Sequence, residues 1–284
     1  MPPSVAMSTA VTPADLTISP RDVKFNRSAR ADRWWLGGDP IGTAFFNALS
    51  VSFPQGEAHF IETVRRYRDA AEGELVEQIA LFIKQEVMHT REHVVFNRLV
   101  SGAGYDIKGM DAMLRERLDF ARSRPPIAQL AMTVALEHFT AIMANDVLRH
   151  PEVLKGASQD VADMWRWHAI EEIEHKAVAF DTFQAATRDL SSFKRWRIRS
   201  LVMFLITIDF WKSNFKRMAE FYRQDNMNTF GTWMKTLWYI FGKPGVLRRI
   251  FPAWLKFFSP RFHPWNHDDR ALIAATDKEL SARP

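Results

Sequence analysis

Apolar positions recur at three- and four-residue intervals over most of the chain, and the alternation of a half-buried strand is nearly absent. The fold class this spacing predicts is all-α. Punctuation divides the pattern. Pro54 suits a first helical turn and opens a helix to about Ala71, with the turn at Glu72-Gly73-Glu74. A second helix runs from Leu75 to about Val100 and stops at Ser101-Gly102-Ala103-Gly104. Asp111 to Ser123 reads as a connecting helix, ended by Pro125-Pro126. A third long helix reaches about Arg149, and a fourth runs from Gln159 to about Thr187. From Lys194 to Phe262 the spacing stays helical but richer in aromatics, interrupted by Pro244, Pro252 and Pro260. The expected organisation is a loose tail over 1–24 with no signal-peptide run, a four-helix bundle over 25–190, a helical extension over 191–265 and a C-terminal tail over 266–284.

Each of the four long helices interrupts its apolar face with ionisable residues. The second reads Ile79, Phe82, Glu86, His89, His93, Phe96; the third reads Leu130, Val134, Glu137, Ala141, Ala144. The fourth reads Trp165, His168, Glu172, His175, Ala179, and the first reads Phe53, Glu57, Phe60, Val64. Unpaired charge inside a core is costly, so such residues pair or coordinate a metal. At about 100° per residue, Glu86 and His89 lie about 60° apart, as do Glu172 and His175, with His168 between the latter two. By the same geometry Glu171, Glu174 and His138 fall off these faces. Glu57 and Glu86 lie about 24 and 20 Å from their shared turn, at roughly 1.5 Å per residue, and so return to nearly one level. The hairpin of the third and fourth helices closes in the same way, and the 111–123 helix supplies the crossover between hairpins.

One Glu from each of two helices plus a Glu-x-x-His from each of the other two is the ligand set of dinuclear carboxylate sites in ferritin-like bundles. The candidate ligands are therefore Glu57, Glu86, His89, Glu137, His168, Glu172 and His175. His93, about 40° from His89 and one turn on, reads as a supporting partner rather than a ligand, and Asp181 as an outer support. His59 reads as solvent-facing. A purely structural set of buried ion pairs would need Arg or Lys on the same faces, and none is there.

Composition narrows the chemistry. The chain has no cysteine, which excludes disulfides, iron–sulfur clusters, thiol nucleophiles and Cys-ligated zinc. Oxygen-rich ligation with three histidines suits two iron ions, with manganese or a mixed pair as the alternative.

The same residues carry a resemblance. The chain is similar to a bacterial family labelled predicted metal-dependent hydrolases, through Phe53-Pro-x-Gly-Glu57, Gln85-Glu86-x-x-His89-x-x-x-His93, Ala135-Leu-Glu137-His138-x-Thr-Ala141 and Trp167-His168-x-x-Glu171-Glu172-x-Glu174-His175-Lys176. The likeness continues through Ala179-Phe180-Asp181 and Phe262-His263-Pro264, covering roughly residues 25–265. In spacing alone, His168-x-x-x-Glu172-x-x-His175 also resembles the non-haem di-iron arylamine N-oxygenases. Two reactions fit: O₂ activation by two Fe(II) ions against a small apolar substrate, with an unspecified electron donor, and hydrolysis by two divalent ions. Histidine-rich ligation within apolar walls favours oxygenase or oxidase, with hydrolase and then non-enzymatic metal binding as alternatives. A tyrosyl-radical role is disfavoured. Tyr67 lies about 15 Å along its helix from Glu57, and Tyr105, Tyr222 and Tyr239 fall outside the bundle helices.

Charge sets the extension apart. Residues 191–262 carry 14 Lys/Arg against Asp209, Glu220 and Asp225, a net of +11, while the whole chain is +5. They also hold Trp196, Trp211, Trp233, Trp238 and Trp254. No apolar run approaches the roughly 20 residues of a membrane span. Three readings compete: extra helices packed on the bundle, a surface lying on an anionic membrane, and nucleic-acid binding, which no recognised motif accompanies. The expected location is cytoplasmic, with peripheral contact at the inner face of the membrane under the second reading.

Overall fold

Capping chemistry sets the first helix well before Pro54. In the computed structural model, which describes residues 12–25 and 32–282, the Asp39 carboxylate accepts from the N–H groups of Ile41 and Gly42, and Pro40 fills the first turn. Helix α1 (Pro40–Arg66) therefore runs straight through Pro54, correcting its reading as a helix start. Proline has no N–H, so the carbonyl four residues back, that of Ser50, loses its helical donor. Asn97 on the neighbouring helix supplies one instead, with Nδ2 3.1 Å from the Ser50 carbonyl.

Gly73, at φ +60°, makes the turn into α2 (Glu74–Gly102). The crossover α3 (Lys108–Arg122) leads past Pro125 into α4 (Pro126–Arg149), and α5 (Gln159–Glu174) returns along it. The fourth helix then breaks, contrary to its reading as one helix to Thr187. His175 caps α5, and a new helix, α6, spans Val178–Ala186. Helices α1 with α2 and α4 with α5 form the two closest pairs, and α1 packs on α4 and α2 on α5, within one helical bundle. The described residues are helical with no strand. Among them only α4 is long and apolar enough to cross a membrane, and it is the buried inner helix of the bundle.

The extension is built of α7 (Ser192–Gln224), α8 (Phe230–Leu237), a single π turn (Trp238–Gly242) and α9 (Val246–Lys256). It shares one core with the bundle: Phe210 stacks on Phe139, and Arg217 Nε donates to the Ala48 carbonyl across 2.7 Å.

Both tails are corrected where the structure describes them. Residues 12–25 lie against the bundle with Ile18 buried, while 1–11 fall outside the described residues. Within 266–284, helix α10 (Arg270–Ser281) packs on α5, where Arg166 pairs with Glu279 and Ile273 is buried.

Candidate metal centre

The seven candidate ligands come together in the middle of the bundle, and all are buried. Four overlapping groups place ligand atoms within 4.8 Å of one another: Glu57–His93–His168, His89–His168–Glu172, Glu57–Glu86–His89 and Glu86–Glu137–His175. His175 Nε2 sits 3.3 Å from Glu86, 3.4 Å from Glu137 and 3.6 Å from Glu172. His89 Nδ1 lies 3.6 Å from Glu172 and 3.9 Å from Glu86. No Lys or Arg side chain forms an ion pair with any of the four carboxylates among the described residues.

Each imidazole is held from behind, leaving its other nitrogen facing the cluster. His89 Nε2 is 3.1 Å from Glu171, which also accepts the Arg21 backbone N–H at 2.7 Å. His175 Nδ1 is 2.9 Å from Gln85 Oε1; the Gln85 amide donates to Glu174, and Arg21 grips Glu174 through both terminal nitrogens. The third chain starts at Pro54. Asn97 must turn its amide nitrogen to the freed Ser50 carbonyl, so its oxygen faces Ser50 Oγ, which donates to it across 2.8 Å. Ser50 Oγ then accepts from His93 Nδ1–H at 2.8 Å, and His93 Nε2 accepts from His168 Nδ1–H. His168 Nε2 is thereby left as a lone pair, 2.7 Å from Glu172 Oε1. Two acceptors at that distance need a proton or a cation between them.

Eight buried atoms of the candidate ligands have no hydrogen-bond partner among the described residues: both oxygens of Glu86 and of Glu137, one each of Glu57 and Glu172, His89 Nδ1 and His175 Nε2. What sets these eight apart from other buried polar atoms is that they converge within a few ångströms of one another, as the donor atoms of a metal site do. Titration points the same way. Burial, reinforced by neighbouring carboxylates, pushes Glu57 and Glu86 well above the usual range, and burial lifts Glu137 to about 7. Burial also works against a charged His175, but Glu137 and Glu172 outweigh it and raise that imidazole to about 10. Burial and the neighbouring His168 hold His89 well below its ordinary value. A carboxylate-rich, cation-free core fits divalent metal ions by the chemistry of its donors.

Arg21, Gln85, Ser50, Asn97, Glu171 and Glu174 are the working residues that helix geometry passed over. Glu171 and Glu174 do point away from the bundle axis, yet they are fully buried because residues 12–25 cover that side of α5. The adjacent acids in Glu171-Glu172-x-Glu174-His175 were their one signal in the sequence. Asp181 lies elsewhere, bonded to His263 and Thr12 rather than to the cluster. His59 is buried rather than solvent-facing; α3 lies over that side of α1, where Arg122 reaches Glu62.

Beside the cluster is a narrow cavity of about 50 Å³, lined by apolar side chains including Phe45, Phe53, Met143 and Trp165, with His168 and Glu172 at its inner wall. Tyr239, placed outside the bundle helices by sequence, also lines it. Its hydroxyl makes no hydrogen bond among the described residues, and burial pushes its pKa up.

A family model described as predicted metal-dependent hydrolase matches residues 19–268. No curated protein and no solved structure matches the chain.

Proposed function

Since the chain belongs to the predicted metal-dependent hydrolase family, we propose that its buried cluster holds two divalent metal ions and hydrolyses a small, largely apolar substrate. The observation that carries this reading is the set of eight unpartnered ligand atoms converging on one space. Four carboxylates total −4, which two divalent ions would neutralise. Glu57, Glu86, Glu137 and Glu172 would supply the carboxylate ligands, and His89, His168 and His175 the imidazoles. The pairing of helices and the α3 crossover support a ferritin-like bundle.

Bound there, two divalent ions would supply Lewis acidity and lower the pKa of water. The protein's own residues do the rest. The outer hydrogen-bond chains fix each imidazole's tautomer and orientation. Apolar cavity walls exclude bulk water and select the apolar part of a substrate. Thr90 holds one Glu57 oxygen at 2.9 Å, leaving the other free toward the cluster. The Tyr239 hydroxyl, kept neutral by burial, would donate a hydrogen bond to substrate in the cavity.

A second reading keeps iron and O₂ at the same ligands. What favours it is the three-imidazole donor set beside a cavity of predominantly apolar lining. Two assays decide between them. Protein loaded with Mn(II) or Zn(II) is expected to cleave short-chain acyl esters or amides. Anaerobically reduced, iron-loaded protein that consumes O₂ with transient visible absorption, while no metal form cleaves any ester or amide, would transfer the assignment to O₂ activation.

A further inference from the structure

The extension is not simply more core. Met203, Phe221 and Ile240 are buried against the bundle, yet α7 turns Leu201, Phe204, Leu205 and Ile208 outward, each more than half exposed. At about 100° per residue these four fall within one stripe of roughly 100°. The π turn exposes Trp238 and Phe241, at 64% and 53%. Helix α9 adds Phe251 and Leu255. These strips are neighbours. Trp254 Nε1 donates to Thr207 across 2.9 Å and Trp196 Nε1 to the Phe258 carbonyl across 2.8 Å, which lays α9 along one edge of the α7 stripe. The Gly245 N–H to Tyr239 carbonyl bond, 2.9 Å, ties α9 to the π turn. A soluble monomer rarely exposes so much contiguous apolar surface.

The unpaired charges of this segment are all of one sign. The three acids of residues 191–262 are each taken by an arginine: Asp209 by Arg117, Glu220 by Arg223 and Asp225 by Arg33. Lys194, Lys212, Lys235, Lys243 and Lys256 are exposed and have no carboxylate partner among the described residues. Apolar side chains interleaved with free lysines match the acyl and headgroup layers of an anionic bilayer. A second copy would set one +11 segment against another.

We propose that the outer faces of α7, the π turn and α9 form a docking surface for an anionic lipid bilayer. The π turn joins that surface to the reaction site, because Tyr239 lines the cavity while its neighbours Trp238 and Phe241 face outward. Resting on the apolar-substrate reading above, this makes the substrate a lipid-phase molecule that enters beside Tyr239.

The test is co-sedimentation of the full chain with phosphatidylcholine vesicles with and without phosphatidylglycerol. Binding is expected with phosphatidylglycerol at low salt, weaker at high salt and slight without the anionic lipid. Changing Lys235, Lys243 and Lys256 together to Gln should weaken it about fivefold per lysine, roughly a hundredfold in all. Leu205→Glu with Ile208→Glu should abolish it with an unchanged melting temperature, since both side chains are already exposed. Brominated lipids should quench Trp238, read as the quenching lost in Trp238→Phe. No binding at low salt, or a triple-Gln variant that binds like the parent, overturns the proposal. So does a dimer dissolved by Leu205→Glu in a protein that ignores vesicles. Vesicle binding needs neither metal nor turnover, so binding without hydrolysis would sink the chemistry and leave the surface standing.

Discussion

Arg21→Ala removes one guanidinium and with it the anchor of two buried carboxylates. The side chain contacts Glu174 at 2.7 and 3.0 Å, Asp277 at 2.8 Å and, more distantly, Glu171 at 3.7 Å, while the main-chain N–H donates to Glu171 at 2.7 Å. Truncation leaves Glu174, only 3% exposed, with the Gln85 amide and the Ser19 backbone N–H but no cation to balance its charge. Breaking a buried pair by removing one member costs about 3–5 kcal/mol. Arg21 keeps a fifth of its side chain in solvent, which lowers the figure to about 2–3 kcal/mol. For a chain of this size that is roughly 4–12 °C in melting temperature. The effect on metal should be uneven. His175 loses the charged anchor at the end of its chain through Gln85 and Glu174, whereas His89 keeps Glu171 because the Arg21 backbone N–H survives the substitution. One ion should therefore weaken by about 10–100-fold and the other by much less. Chelator competition followed by metal analysis reads the two steps, and Arg21→Lys, which keeps charge without the two-pronged grip, should fall between. Two metals released together with parental affinity, from a protein of parental stability, would refute the reasoning.

Loss of a ligand should exceed loss of its support: Glu86→Ala or Glu172→Ala should reduce occupancy below two metals per chain by elemental analysis, while Glu171→Ala weakens binding without abolishing it. In the metal-free protein Glu57, Glu86 and Glu137 have folded pKa values above their ordinary 4.5, so their stabilising contribution is complete below that pH and is lost as pH rises through the folded values. His175, raised to about 10, adds a loss of the same sign above its ordinary 6.5. Metal-free protein should therefore melt lower at pH 8 than at pH 5.5; metal binding should release protons and tighten over the same interval, and calorimetry in two buffers showing no proton release would contradict this. Asn97→Ala leaves the Ser50 carbonyl unpaired inside the bundle, at about 1–3 kcal/mol, and should change the visible spectrum of the cobalt-substituted protein through His168. A spectrum identical to that of the parent would show that His168 is held by other means.

Sequence reasoning went furthest where one helix decides the outcome. Glu86 with His89, and His168 with Glu172 and His175, converge because residues three, four and seven apart share a helical face, whatever the rest of the chain does. It failed where a distant segment covers a face. Arg21 comes from about 150 residues away to bury Glu171 and Glu174, and nothing in the periodicity of α5 signals that cover. His59 departs from its solvent-facing expectation for the same reason, its outer side being closed by α3. Pro54 failed differently. A proline in a helical pattern usually marks an end, and only the amide of Asn97, from the facing helix, lets this helix continue. The break at His175 was equally invisible, since the apolar spacing runs on through α6.

The path from Pro54 to His168 works like a parity count. Each hydrogen bond converts the donor role at one end of a group into an acceptor role at the other. The series from the Ser50 carbonyl through Asn97, the Ser50 hydroxyl and His93 ends with a bare nitrogen on His168. Inserting one more link, such as a water between His93 and His168, need not change that outcome if the water both accepts and donates. Reversing the first link must change it. An acid in place of Asn97 has no hydrogen to offer the carbonyl unless it is protonated. A bundle redesigned to bind metal could borrow this device, in which one absent backbone hydrogen on a neighbouring helix selects the imidazole tautomer without spending any charge inside the core.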